Sequence, residues 1–199
     1  MPTGVHLRDV RQQLFHAAER VLLRDGPNAL TSRAVTAEAD VAKGVLHRHF
    51  TDFDDFLAEL VRDRIARLAD QAALLQASAG TRTVADNLVA ALEEVFDPVS
   101  VALVSLVFFR DELRRRLRRP GDGLPLLAEA RAMLAGYLKA ERAQGRIAAD
   151  ADVDSLSLSL IGAGHLLFAG RRKDTLPDND ELTKVVHTTI ADVVQRRLL

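Results

Sequence analysis

The sequence predicts an all-α fold: an N-terminal three-helix domain containing a helix-turn-helix, followed by a larger C-terminal helical domain, about nine helices in total. Two observations predict it. Apolar residues recur at three- and four-residue intervals along nearly the whole chain, while strand-like alternation is absent. In addition, the stretch Leu30 to Phe56, LTSRAVTAEADVAKGVLHRHFTDFDDF, reads as two short helices around a tight turn, then the start of a longer one. The expected boundary falls between residues 1–51 and 52–199, with the fourth helix linking the two parts.

In the first helix, Val10, Leu14, Ala17, Ala18 and Val21 keep an amphipathic rhythm that ends near Asp25-Gly26-Pro27. Thr31 is placed to cap the second helix, which runs to about Glu38, with Leu30 and Val35 at the two stapling positions around that cap. The turn falls at Ala39-Asp40-Val41, where Asp40 tolerates a left-handed backbone and Ala39 permits close approach. The third helix spans about Ala42 to Phe50 and turns Leu46 and Phe50 inward. Gly44, Val45, His47 and Arg48 occupy its opposite arc, flanked by Lys43 and His49. Asp52 caps the fourth helix with Asp55 three positions on, and Phe56, Leu57, Leu60, Val61, Ile65 and Leu68 form its apolar stripe.

Longer, more apolar helices follow from Thr81. The fifth covers about Val84 to Phe96 and stops at Asp97-Pro98, which opens the sixth. The sixth is expected to end in Arg114, Arg115, Arg116, Arg118 and Arg119, a solvated run favoured by the helix dipole and given no function. Pro120 to Gly123 form a loop, and Pro125 starts a seventh helix running to about Gly145. The eighth, Val153 to Gly170, is apolar around most of its circumference and carries small residues at Gly162, Ala163, Gly164, Ala169 and Gly170. The ninth opens at Pro177-Asp178 and repeats Leu182, Val185, Val186, Thr189, Ile190, Val193 and Val194. A helix apolar all round needs cover on every side, so the last two helices are expected to pair with those of a second copy as a four-helix bundle.

Composition narrows the function classes. The chain is 48% hydrophobic and 28% charged, a core-burying balance, and 27 basic against 28 acidic side chains argue against nonspecific coating of nucleic acid. Residues 1–50 nevertheless hold seven basic and five acidic side chains, with four of the six histidines. No cysteine is present, which removes disulfides, thiolate metal sites and thiol nucleophiles and suits a reducing cytoplasm. The opening residues lack the apolar run of a secretory signal, and the longest apolar stretches fall short of the ~18 residues that span a membrane.

Catalytic and cofactor signatures fail residue by residue. Gly162-Ala-Gly164 has Leu167 where a dinucleotide fingerprint needs its third glycine, and no strand precedes it. Asp150, Asp152 and Asp154 open like a calcium loop, but Ser155 and Ile161 stand where its glycine and glutamate belong. His47 and His49 point about 200° apart around a helix and cannot share a metal. No cofactor and no enzymatic activity are expected.

Residues 10–60 resemble the DNA-binding domain of the TetR family of one-component transcriptional regulators. The resemblance rests on Ala17-Ala18, Gly26, Thr31, Val35, Ala39, Val41, Lys43-Gly44, Leu46, His49-Phe50 and Asp55-Phe56-Leu57. It implies a cytoplasmic homodimer, paired through its last two helices, that sets the third helix of each subunit into a major groove of a pseudopalindromic double-stranded operator, with repression relieved by a small hydrophobic effector. The DNA-contacting residues it implies are Thr31, Ser32, Arg33, Ala42, Lys43, Gly44, Val45, His47, Arg48 and His49. Lys43 and Arg48 carry the charge that phosphate neutralisation needs, and Val45 suits a thymine methyl. Three positions depart from the family pattern: Ala42 replaces a Ser or Thr, His47 often a Tyr, and Phe53 often a Lys. A histidine at 47 makes the expected affinity rise as pH falls through the histidine range.

For the effector, Leu92, Phe96, Phe108, Phe109, Met133, Tyr137, His165 and Phe168 are the candidate lining, with Tyr137 and His165 as the polar groups. The alternatives are a helical dimer that acts through a partner surface without operator binding, and a helical enzyme.

Overall fold

The computed structural model describes residues 3–117, 124–169 and 179–195. Every regular element among them is helical. In order they are α1 (Thr3–Asp25), α2 (Ser32–Glu38), α3 (Gly44–His49), α4 (Phe53–Ala77), α5 (Val84–Val95), α6 (Pro98–Phe109), α7 (Asp111–Leu117), α8 (Pro125–Ala143), α9 (Val153–Phe168) and α10 (Asn179–Gln195), with one 3-10 turn at Pro27–Ala29. The described residues form ten helices rather than about nine because the expected sixth is two. Asp111 and Glu112 sit in the first turn of α7 and Arg114, Arg115 and Arg116 in its last, so charge complements both ends of a separate helix dipole. Arg118, Arg119, the loop Pro120 to Gly123, Gly170 and the start at Pro177-Asp178 lie outside the described residues.

The chain falls into two compact units, residues 1–64 with 98–124 and residues 65–97 with 125–199. In the first, Leu14, Ala17, Ala18 and Val21 of α1 are fully buried, the two alanines small enough for α2 to pack closely. Leu46, Phe50, Phe56 and Leu57 complete the core, and the rings of Phe15, Phe50 and Phe56 meet at centroid distances of 5.9, 5.7 and 5.0 Å. This aromatic cluster seats α3 and the start of α4 against α1.

The second unit packs α8 on α9 and α10 on α5 and α9 around Leu88, Leu92, Leu134, Leu138, Leu160 and Val186. A buried polar cluster ties it together. Tyr137 donates to Glu141 Oε1 at 2.5 Å and accepts from Asn87 Nδ2 at 3.1 Å, while Arg146 pairs with the fully buried Glu141 at 3.4 Å. Burial, then the bond to Glu141, push the Tyr137 phenol above the usual tyrosine range. Among the described residues no helix is long and apolar enough to cross a membrane.

Candidate nucleic-acid interface

The hydroxyl of Thr31 accepts from Ala34 N–H at 3.1 Å and caps α2, with Leu30 and Val35 buried at 2% and 0% exposure as the staple. Asp40 takes φ 53, the only positive φ at a non-glycine residue described, and the chain reverses there with Val41 N–H bonded to Thr36 O at 3.0 Å. Gln13 of α1 donates to Ala39 O at 2.8 Å and fixes the turn from outside. The expected turn chemistry is therefore present. Helix α3 is shorter than expected: Ala42 lies in irregular backbone before it, and Lys43 forms the turn leading into it and caps it without a side-chain bond.

All ten candidate DNA contacts are solvent-accessible. Thr31, Arg33, Ala42, Lys43, Gly44, His47 and Arg48 are exposed and Ser32, Val45 and His49 half-buried, while Leu46 and Phe50 face the core. Among the described residues, Arg33, Lys43 and Arg48 are in no ion pair. By contrast, Arg20 and Arg24 of α1 both close on Glu38 at 2.7 Å, and Arg11 holds Glu59 at 2.9 Å. The two arginines hold the Glu38 carboxyl below its ordinary range, Arg20 most strongly. Nothing lies within 4 Å of a Cβ built on Gly44. The outer arc of α3 is therefore open and cationic.

Behind α3, Asp52 Oδ1 accepts from Asp55 N–H at 2.8 Å, and Asp55 Oδ2 accepts from Thr51 N–H at 2.9 Å, a reciprocal cap for α4. Asp52 also receives Arg116 through both guanidinium termini, at 2.8 and 2.9 Å, and that bond first, with the cap second, depresses its pKa. The sequence places Arg116 in a solvated run. It is instead committed to Asp52, a partner 64 positions away in the chain with no local sequence signature. The role of Arg11 has no local signature either. Phe53 stacks on Phe56 at 5.6 Å and carries the Arg110 guanidinium 5.7 Å from its ring centroid.

The effector candidates divide. Phe96, His165 and Phe168 come together, with Phe96 stacked on Phe168 at 5.4 Å and 6.3 Å from His165. Leu92, Phe96, Met133 and Tyr137 are buried. Phe108 and Phe109 belong to the other unit, where they pack edge-to-face and stay 53% and 78% exposed. None of the eight lines the pocket of about 470 Å³ bounded by Thr83, Val84, Arg146, His187, Ile190 and Val194.

A capped two-helix unit with a left-handed turn and an open cationic second helix, set in a helical framework, defines a helix-turn-helix protein of all-α architecture. Residues 14–60 match the sequence model of the bacterial regulatory proteins of the tetR family. Its fold is that of solved TetR-family transcriptional regulators. It is similar to a putative TetR-family regulator from Mesorhizobium loti, with 14% identity over 96% of this chain and 97% of that one, and a TM-score of 0.68. It is also similar to the transcriptional regulator FadR from Bacillus subtilis, solved in complex with stearoyl-CoA (16% identity, 90% and 97% covered, TM-score 0.70). A TetR transcription regulator from Haloarcula marismortui aligns at 20% identity over 95% and 98%, with a TM-score of 0.66. A sequence search of curated proteins found no match.

Proposed function

We propose that the chain is a homodimeric, ligand-responsive transcriptional repressor of the cytoplasm, whose residues 1–51 read a pseudopalindromic operator and whose residues 52–199 dimerise and bind a small hydrophobic effector. The observation that carries the reading is the outer arc of α3. Lys43 and Arg48 are exposed on either side of the open Gly44 with no ion pair among the described residues, while neighbouring arginines are paired. Cations of this kind neutralise phosphate, and a helix end without bulk can approach base edges in a groove about 12 Å wide.

Dimerisation through α9 and α10 is supported by a face of α9 that a monomer leaves bare. Leu158 and Leu166 are 56% and 80% exposed, with Gly162 between them and nothing within 4 Å of its built Cβ. For the effector, Phe96, His165 and Phe168 are the candidates that cluster, as aromatic rings with one polar edge. The B. subtilis neighbour's acyl ligand makes an apolar effector a reasonable first probe.

A gel-shift with a duplex from upstream of the chain's own gene tests the reading. Selective retardation over a scrambled duplex of equal length is the expected result. Equal retardation of both, or none, would favour a helical dimer that does not read DNA.

A further inference from the structure

The elbow between α3 and α4, residues 49–52, is held from two sides. On one side Asp52 takes the bidentate bond from Arg116 of α7 while capping α4, and Arg116 Nε donates to Glu112 at 2.9 Å. On the other, the His49 carbonyl accepts from Arg11 of α1 at 3.4 Å, and the Arg11 guanidinium lies 4.5 Å from the Phe50 ring centroid. The two sides are joined. Arg11 pairs with Glu59, Glu59 with Arg62 at 2.6 Å, and Arg62 Nη2 donates to the Arg116 carbonyl at 3.1 Å.

Single exposed ion pairs contribute little, but bidentate geometry and shared partners are the conditions under which they fix an orientation. Helix α3 needs such help. Its six residues are too few to hold a helix in place by their own backbone bonds, so its direction must come from Leu46, Phe50 and whatever grips the elbow. All three guanidinium nitrogens of Arg116 are engaged within the protein, so it is not arranged to meet a phosphate.

We propose that Arg116, through Asp52, is a positioning residue for DNA reading: it sets the direction in which α3 is presented and makes α7 a working part of the reading unit without touching DNA. This rests on the operator-binding reading above.

The test compares the full-length wild type with R116Q, D52N, their double variant and R116K. Asn keeps the helix cap at 52 while removing the charge. Fluorescence anisotropy on upstream and scrambled duplexes is measured across salt, with hydrogen exchange of residues 49–56 in the free protein and thermal melting as a check of folding. Each single variant should weaken selective binding about tenfold. The double variant should be no weaker than either, R116K intermediate, the salt slope unchanged and exchange at the elbow faster. Additive effects with a salt slope reduced by about 0.9 would make Arg116 a phosphate ligand and overturn the proposal. So would variants that bind selectively and exchange like the wild type. A wild type that discriminates no duplex fails the operator reading itself, and positioning for it falls too.

Discussion

Gly44 and Gly164 are both helical glycines, and their surroundings assign them opposite roles. A Cβ on Gly44 meets nothing within 4 Å, so the protein's own packing does not demand glycine there. Gly44→Ala should leave the melting temperature unchanged or raise stability by up to about 1 kcal/mol, since alanine is the better helix residue. If α3 enters a groove, the same change should weaken operator binding about tenfold, roughly 1.4 kcal/mol. Melting and anisotropy on one preparation separate the two effects. At Gly164 a Cβ would collide with Cε2 of Phe96, a ring 2% exposed and stacked on Phe168. Gly164→Ala should therefore cost about 1–3 kcal/mol by overpacking, read as a lowered unfolding midpoint in urea. From sequence, Gly44 is legible because it interrupts a basic arc. Gly164 reads only as one small residue among several, because the Phe96 ring that excludes a side chain there comes from a distant element.

At the scale of elements, α2 and the turn are legible almost to the residue. Their signals are local: a capping threonine, a stapling pair, and an aspartate at the left-handed position. The break between α6 and α7 is not legible. Arg110 has a good helix propensity, and the arginines after it suit one helix end as well as another. What α7 does depends on Asp52, and pairing across such a separation leaves no periodicity to read. The pair has a pH signature whose sign follows from its direction. Because Arg116 depresses the Asp52 pKa, the stabilisation is present above the ordinary carboxylate value near pH 4 and fades as pH falls from there through the folded value. The difference in melting temperature between wild type and D52N should thus be constant from pH 8 to about pH 5 and shrink below about pH 4. A constant difference down to about pH 2.5 would show that the Asp52 charge does not carry the effect.

For the molecule as a whole, operator reading requires two copies, because a pseudopalindromic site is read by a two-fold symmetric dimer with half-sites about 34–36 Å apart. The exposed face of α9 is where that requirement meets the structure. Leu158→Glu with Leu166→Glu places charges on both sides of Gly162 and should convert a dimer to monomers in sedimentation, with α-helical content retained by circular dichroism. A dimer that persists in this variant would move the interface off α9. The fold is legible because its signals are distributed along every helix. The effector is not, since buried aromatic residues look alike in sequence whether they fill a core or line a cavity, and Phe108 and Phe109 fall outside the unit that holds the other six candidates.

The most direct test of the central claim is the salt dependence of operator affinity for wild type and for Lys43→Ala with Arg48→Ala, measured by anisotropy on the upstream duplex with folding verified by melting. A steep wild-type slope is expected, and for the double variant weaker binding with a slope shallower by roughly 0.9 for each phosphate it no longer neutralises. Unchanged affinity and slope in a folded double variant would contradict the claim that this arc of α3 meets DNA.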